Sequence, residues 1–228
     1  MNEIGLSKVS SRTTVQDGVY EQLRQALMWG RFEPGQVITI PALSTEFGTS
    51  HMPVREALRR LAAENGLEIG RGGSARVPVV SLARLDDLCA VRKALEGLAT
   101  ETAATRLTTA EIDACERLAR EHEALGHAGE VYTMLRKNQD FHFAIYERAG
   151  SEVLPQLIET LWLRFGPYMR MLSDIVARHL GDGVVRPYAT FHYQIVEAFR
   201  ARDGRAAGAL MVQDIEATQA LLAEMCPD

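Results

Sequence analysis

The amino-acid sequence predicts a mainly α protein, with an N-terminal winged helix-turn-helix over residues 1–80 and an all-helical bundle over residues 81–228. Three observations predict it. Between residues 15 and 63, apolar stripes of helical period are separated by turns at Pro34-Gly35 and Gly48. Two short alternating runs then flank Gly70-Arg71-Gly72-Gly73, the pattern of a β-hairpin with a basic tip. Beyond Val80 helical periodicity takes over, with no βαβ alternation, phosphate-binding loop or fixed repeat.

The first helix covers 15–29, with Val15, Val19, Leu23, Ala26 and Leu27 on one face and Gly30 ending it. A short helix from Pro41 to Phe47 stops at Gly48. Thr49 or Ser50 caps the next, with Pro53 in its first turn. That helix turns Val54, Ala57, Leu58 and Leu61 inward and shows Arg55, Arg59 and Arg60 on its other face. Leu67-Glu68-Ile69 and Ala75 to Val79 supply the hairpin. Six further helices are expected at about 82–105, 109–125, 131–149, 152–178, 184–202 and 204–224. Thr108 and Glu111 form a capping-box pattern at the start of the second of these.

The bulk properties bound the function. The chain has 228 residues, 46% hydrophobic and 24% charged, which suits two folded domains. No window reaches the roughly 18 unbroken apolar residues of a membrane span, and Met1 to Thr14 is polar, without a signal-peptide core. A cytoplasmic location with no membrane partner is expected. Cys89, Cys115 and Cys226 lie far apart and form no CxxC pair, so neither a disulfide framework nor a cysteine zinc site is supported. The net charge of −5 is uneven: residues 1–80 hold 9 Lys+Arg against 8 Asp+Glu. The placement of the arginines matters more than their number.

In a winged helix-turn-helix the second helix lies in the major groove, with its N-terminal residues at base edges. Ser50, His51, Met52 and Arg55 occupy that leading end, and Arg59 follows one turn later. Arg55 suits a bidentate contact with guanine, and Ser50 with the helix N-terminus suits phosphate. Arg71 and Arg76 on the wing suit a minor groove or the backbone. The partner implied is double-stranded operator DNA.

These residues carry a resemblance to the GntR family of transcription regulators. The matching stretches are Leu27 to Gly35, Ala42 to Ser50, and Pro53-Val54-Arg55-Glu56-Ala57-Leu58-Arg59-Arg60-Leu61. They cover about a third of the chain. His51 stands where the family has a recognition arginine, and Glu64-Asn65-Gly66-Leu67 replaces its usual Glu-Gly-Leu. The rear segment resembles the helical effector-binding domain called FCD, of the FadR-like branch. Its markers are Val91 to Glu96, Asn138 to His142, and His192 to Asp214.

The residues themselves also point to a site. Val131, Met134, Leu135, Phe141, Ile145 and Ala149 form an apolar stripe that Asn138 and His142 interrupt. His192 sits among Ile195 and Phe199, and Asp214 among Leu210, Ile215 and Leu221. An unpaired buried polar group costs about 1–3 kcal/mol. Three helices making the same exception suggest that the groups meet, either around a divalent metal (zinc or similar) or in a water-filled polar pocket. The resemblance implies the metal, with His142 and His192 at family positions. Asn138 stands where the family most often has Asp, and Asp214 where it has a third His. Arg92, on a helix whose Leu88, Leu95 and Ala99 face inward, needs an anion: Glu96 one turn away, or an effector. The resemblance implies a small organic acid held by metal and Arg92, with Arg164, Tyr168 and Arg170 as further candidate pocket residues.

The expectation is a homodimeric, ligand-responsive transcription regulator, a repressor, and not an enzyme. Two alternatives accompany it. One is a metal-dependent enzyme in which the His/His/Asp cluster activates water. The other is a DNA-binding dimer with a purely structural rear domain.

Overall fold

The structure, a computed structural model, describes residues 15–70, 74–181 and 189–227. The front unit holds helices α1 (Val15–Met28), α2 (Ile40–Glu46) and α3 (His51–Ala63), and strands β1 (Val37–Ile38), β2 (Glu68–Ile69) and β3 (Ala75–Arg76). Val19, Leu23 and Leu27 of α1 pack with Val54, Ala57, Leu58 and Leu61 of α3 in one buried core. Val15, expected on the buried face of α1, opens the helix and is 63% exposed. Ser50 occupies the N-cap position of α3 in an extended conformation, but its side chain makes no capping hydrogen bond. Thr39 caps α2 by accepting from the Ala42 amide, with a proline in the first turn.

The sheet is antiparallel in the order β1-β3-β2, with Arg76 opposite both Val37 and Glu68. The expected hairpin is therefore the β2–β3 pair, closed by the Gly70 amide on the Ser74 carbonyl at 2.8 Å. Strand β1 was not expected: two residues, one exposed and one buried, are too short to show alternation.

The rear unit comprises α4 (Leu82–Ala103), α5 (Thr109–His127), α6 (Val131–Tyr146), α7 (Leu154–Gly181), α8 (Thr190–Arg200) and α9 (Gly204–Ala223). Residues 184–188 of the expected 184–202 helix lie outside the described residues. Helix α4 packs along α9, with α5 against α6 and α8. No described helix is long and apolar enough to cross a membrane.

The capping box at α5 is formed. The Thr108 hydroxyl accepts from the Glu111 amide, and Glu111 accepts from the Thr108 amide at 2.8 Å. Those bonds, with Arg148 beside it, hold the Glu111 carboxyl down at about 2. A carboxyl depressed on folding stabilises above its unfolded value and loses that contribution as the pH falls through its folded value. Thermal unfolding followed from pH 5 down to pH 2 is therefore expected to fall less steeply in Glu111→Gln than in the native protein.

The two units meet along α7. A Cβ on Gly166 would sit 2.9 Å from the Leu27 carbonyl carbon, and closer still to its oxygen. Gly30, at φ +65°, faces the backbone of Met169 and Arg170 in the same way. Buried Arg24 of α1 pairs with Glu64, at the end of α3, and with Glu159 of α7. The Tyr168 hydroxyl donates to the Ser81 carbonyl at 2.9 Å and accepts from its amide at 3.2 Å, which ties the connecting segment to α7.

Candidate functional site

The exposed face of α3 carries Ser50, His51, Met52, Arg55 and Arg59, and Arg76 is exposed on β3. Arg71 lies outside the described residues. The arginines differ in freedom. Arg60 is bound to Asp17 at 3.0 Å and stacks over the Tyr20 ring at 3.7 Å, so it fastens α3 to α1. Arg59 pairs with Glu56 at 3.1 Å. Arg55 makes no ion pair among the described residues.

The bundle holds a cavity of about 240 Å³. Its wall is built from Arg92 of α4, His122 of α5, and Met134, Leu135, Asn138 and His142 of α6. Trp162, Phe165, Met169, Leu172 and Val176 of α7, Phe191 of α8, and Asp214, Ile215, Ala217, Thr218 and Leu221 of α9 complete it. His192 is fully buried and stacks on Phe141 at 4.1 Å between ring centroids. His142, His192 and Asp214 each offer a ligand atom within 4.8 Å of the others.

Each polar group has a definite surrounding. Arg92 donates to Glu96 through Nε at 2.6 Å and Nη2 at 3.3 Å, and its guanidinium lies over Trp162 and Phe165. Its Nη1 makes no hydrogen bond among the described residues, so the ion pair with Glu96 leaves one donor group for a ligand. Tyr146 donates its hydroxyl proton to Glu96 at 2.5 Å. Having one proton only, it must accept from His142, whose Nδ1 lies 3.0 Å away. His142 is thus protonated at Nδ1 and presents a bare Nε2, 3.4 Å from Asp214 Oδ2. Burial, with Arg92 and His122 nearby, holds His142 neutral, its pKa well below the usual histidine value. Burial pushes the Asp214 carboxyl up to about 7, Arg92 opposing and Glu96 reinforcing. The His192 Nε2 is buried without a partner. Two imidazoles and a carboxylate in this arrangement fit a divalent cation, which takes neutral imidazole nitrogen and carboxylate oxygen at about 2.0–2.2 Å.

Three expected pocket residues lie elsewhere. Tyr168 bonds to Ser81. Arg170 binds Glu33 at 2.6 Å and also Asp174, and Arg164 is part-buried off the wall. The reason is helical phase: the wall residues of α7 follow a 3-4-3-4 spacing from Trp162 to Val176, and 164, 168 and 170 fall off that stripe. His122 and Tyr146 were not anticipated. His122 had a signal, because Cys115, Ala119, His122 and Gly126 form the buried stripe of α5.

A winged helix-turn-helix on a helical bundle whose cavity gathers Arg92, His142 and Asp214 defines a ligand-binding transcription regulator. Comparison with known proteins agrees. Residues 15–77 match bacterial regulatory proteins of the gntR family, and residues 87–217 match the FCD domain. The chain belongs to the GntR family, with an FCD effector-binding domain. It is 28% identical over 185 residues to the HTH-type transcriptional regulator McbR of Escherichia coli K12, covering 81% of this chain and 82% of that protein. It is 28% identical over 200 residues to the probable D-xylose utilization operon transcriptional repressor of Paenarthrobacter nicotinovorans, covering 86% and 84%. The solved structure of E. coli McbR/YncC superposes with TM-score 0.86 at 26% identity, over 93% of this chain and 99% of that one. A putative GntR regulator from Rhodococcus sp. RHA1, at 21% identity over 93% and 99%, shares the fold with TM-score 0.76. The protein is a DNA-binding transcription regulator. The enzyme alternative has no support in the family or in these relatives.

Proposed function

We propose that the protein is a cytoplasmic, homodimeric repressor that leaves its operator when a small organic acid enters the FCD cavity. The observation that carries this reading is the joint placement of Arg92, Asn138, His142 and Asp214 on the wall of one cavity, with buried His192 offering a ligand atom within 4.8 Å of those of His142 and Asp214, against the helix that seats the winged domain. His142, His192 and Asp214 would hold a divalent cation, with Asn138 beside them, and the cation would neutralise a bound carboxylate. Arg92 orients that carboxylate, while Trp162, Phe165 and Leu172 exclude water. Ser50, His51, Met52, Arg55, Arg59, Arg71 and Arg76 are the proposed DNA contacts. A dimer presents two α3 helices to two half-sites about one DNA turn apart. The repressor sense follows the P. nicotinovorans relative, a probable operon repressor.

The test uses purified protein, zinc ions, a panel of short carboxylic and hydroxy acids, and a duplex from its own promoter. Zinc at 100 times its dissociation constant is expected to add about 2.7 kcal/mol, or roughly 5–11 °C in Tm for a chain of this size. His142→Ala should remove that gain. At least one acid should release the native protein from DNA and leave Arg92→Ala bound. Unchanged melting with metal, together with DNA binding indifferent to every acid, would overturn the reading.

A further inference from the structure

We infer that His122 is the positioning residue of this site: it fixes His192 in the tautomer whose Nε2 is free to bind a metal, and in doing so turns its own Nε2–H into a donor for the ligand. The inference rests on the metal reading above and adds a residue to it.

The Nδ1 atoms of His122 and His192 lie 3.3 Å apart in a buried pair, their rings tilted by 39°. Both rings are buried, and a hydrogen bond between two Nδ1 atoms requires that one of them be bare. Two neutral rings joined through Nδ1 admit two arrangements, in which one ring donates and the other accepts.

The surroundings choose between them. If His122 donated, His192 would carry its proton on Nε2, a buried N–H with no partner. A buried N–H left without a partner is uncommon in folded proteins. If His192 donates, its Nε2 is a bare lone pair, which a cation completes. The second arrangement also matches His142, whose Nδ1 proton is taken by Tyr146 backed by Glu96. Both proposed histidine ligands are then anchored at Nδ1 and bare at Nε2. Such outer hydrogen bonds orient metal-ligating histidines and are typically worth 10- to 100-fold in metal affinity.

The same choice sets the chemistry of His122. Having accepted at Nδ1, it carries its proton on Nε2, which makes no hydrogen bond among the described residues. His122 is part of the cavity wall. It therefore offers an N–H to an oxygen of the bound molecule, so the ligand class is one with an acceptor oxygen positioned for both Arg92 and His122.

The test is nitrogen-15 NMR of the histidine rings in the metal-free full-length protein, with zinc titrations of variants. The expected spectrum shows His192 protonated at Nδ1 and His122 at Nε2. On adding zinc, Nε2 of His192 should shift and both nitrogens of His122 should keep the pattern of an uncoordinated ring. His122→Leu should lose 10- to 100-fold in zinc affinity. His122→Asn, whose amide oxygen can take the place of Nδ1, should recover most of it. Zinc affinity in His122→Leu equal to the native value would overturn the inference and leave the metal reading intact. So would the opposite tautomers, or a coordination shift on His122 itself. No zinc binding by the native protein would instead sink the metal reading, while the tautomer spectrum would still decide the pairing.

Discussion

Replacing Arg55 with alanine is expected to weaken operator binding by roughly 5- to 150-fold, the 1–3 kcal/mol of one bidentate base contact, while leaving the melting temperature unchanged. Arg55 stands one turn into α3 on its exposed face and carries no ion pair among the described residues. Within the described protein no ion pair of Arg55 supports the fold or competes with DNA for it. Its neighbours differ. Arg59 already pairs with Glu56, so Arg59→Ala should cost less and should reduce the dependence on salt by about one phosphate contact. Arg60 is bound to Asp17 and Tyr20, so its loss should appear in stability rather than in DNA affinity. Fluorescence anisotropy on the promoter duplex, with a scrambled duplex as control, measures all three. Binding of Arg55→Ala within twofold of native would remove this residue from the interface.

The largest stability effect is expected at the seam between the units. Gly166→Ala should lower stability by about 1–3 kcal/mol, as over-packing does, or roughly 2–12 °C in Tm. The added methyl has no side chain to push aside: it meets the carbonyl of Leu27, part of the backbone of α1. Gly30→Ala should cost at least as much. It combines a similar collision with the backbone of Met169 and Arg170 and a φ of +65°, which L-residues adopt at a penalty. The same change at Gly18, which has open space around it and lies inside α1, should be neutral or mildly stabilising. Differential scanning calorimetry separates these outcomes. A Gly166→Ala protein melting with the native one would mean that the two units do not approach this closely.

Much of this architecture was legible in the sequence because its elements carry local signals. Val54, Ala57, Leu58 and Leu61 announce the buried face of α3, and Thr108 with Glu111 announces the start of α5. His142, His192 and Asp214 were visible as polar interruptions of apolar stripes, and they do lie together. The misses have physical causes. Helix α7 is buried on more than one side, against the cavity and against α1, so its own periodicity cannot say which stripe faces which neighbour. That is why Tyr168, Arg164 and Arg170 were expected in the pocket. Strand β1 exists because β3 pairs with it, a long-range cause with no local pattern. His122 sat on a regular stripe, but its role depends on a ring nitrogen of another helix.

The arrangement of α7 also bears on how such a protein changes over generations. Trp162 and Phe165 face the cavity, whereas Leu163 touches Gly66 and Gly166 touches Leu27 of the front unit. Two consecutive turns thus serve as a party wall between the chemical sensor and the genome reader. A lineage that reshapes this stretch to suit a new metabolite also disturbs the seat of the reader, so changes of diet and of docking should accumulate as matched pairs.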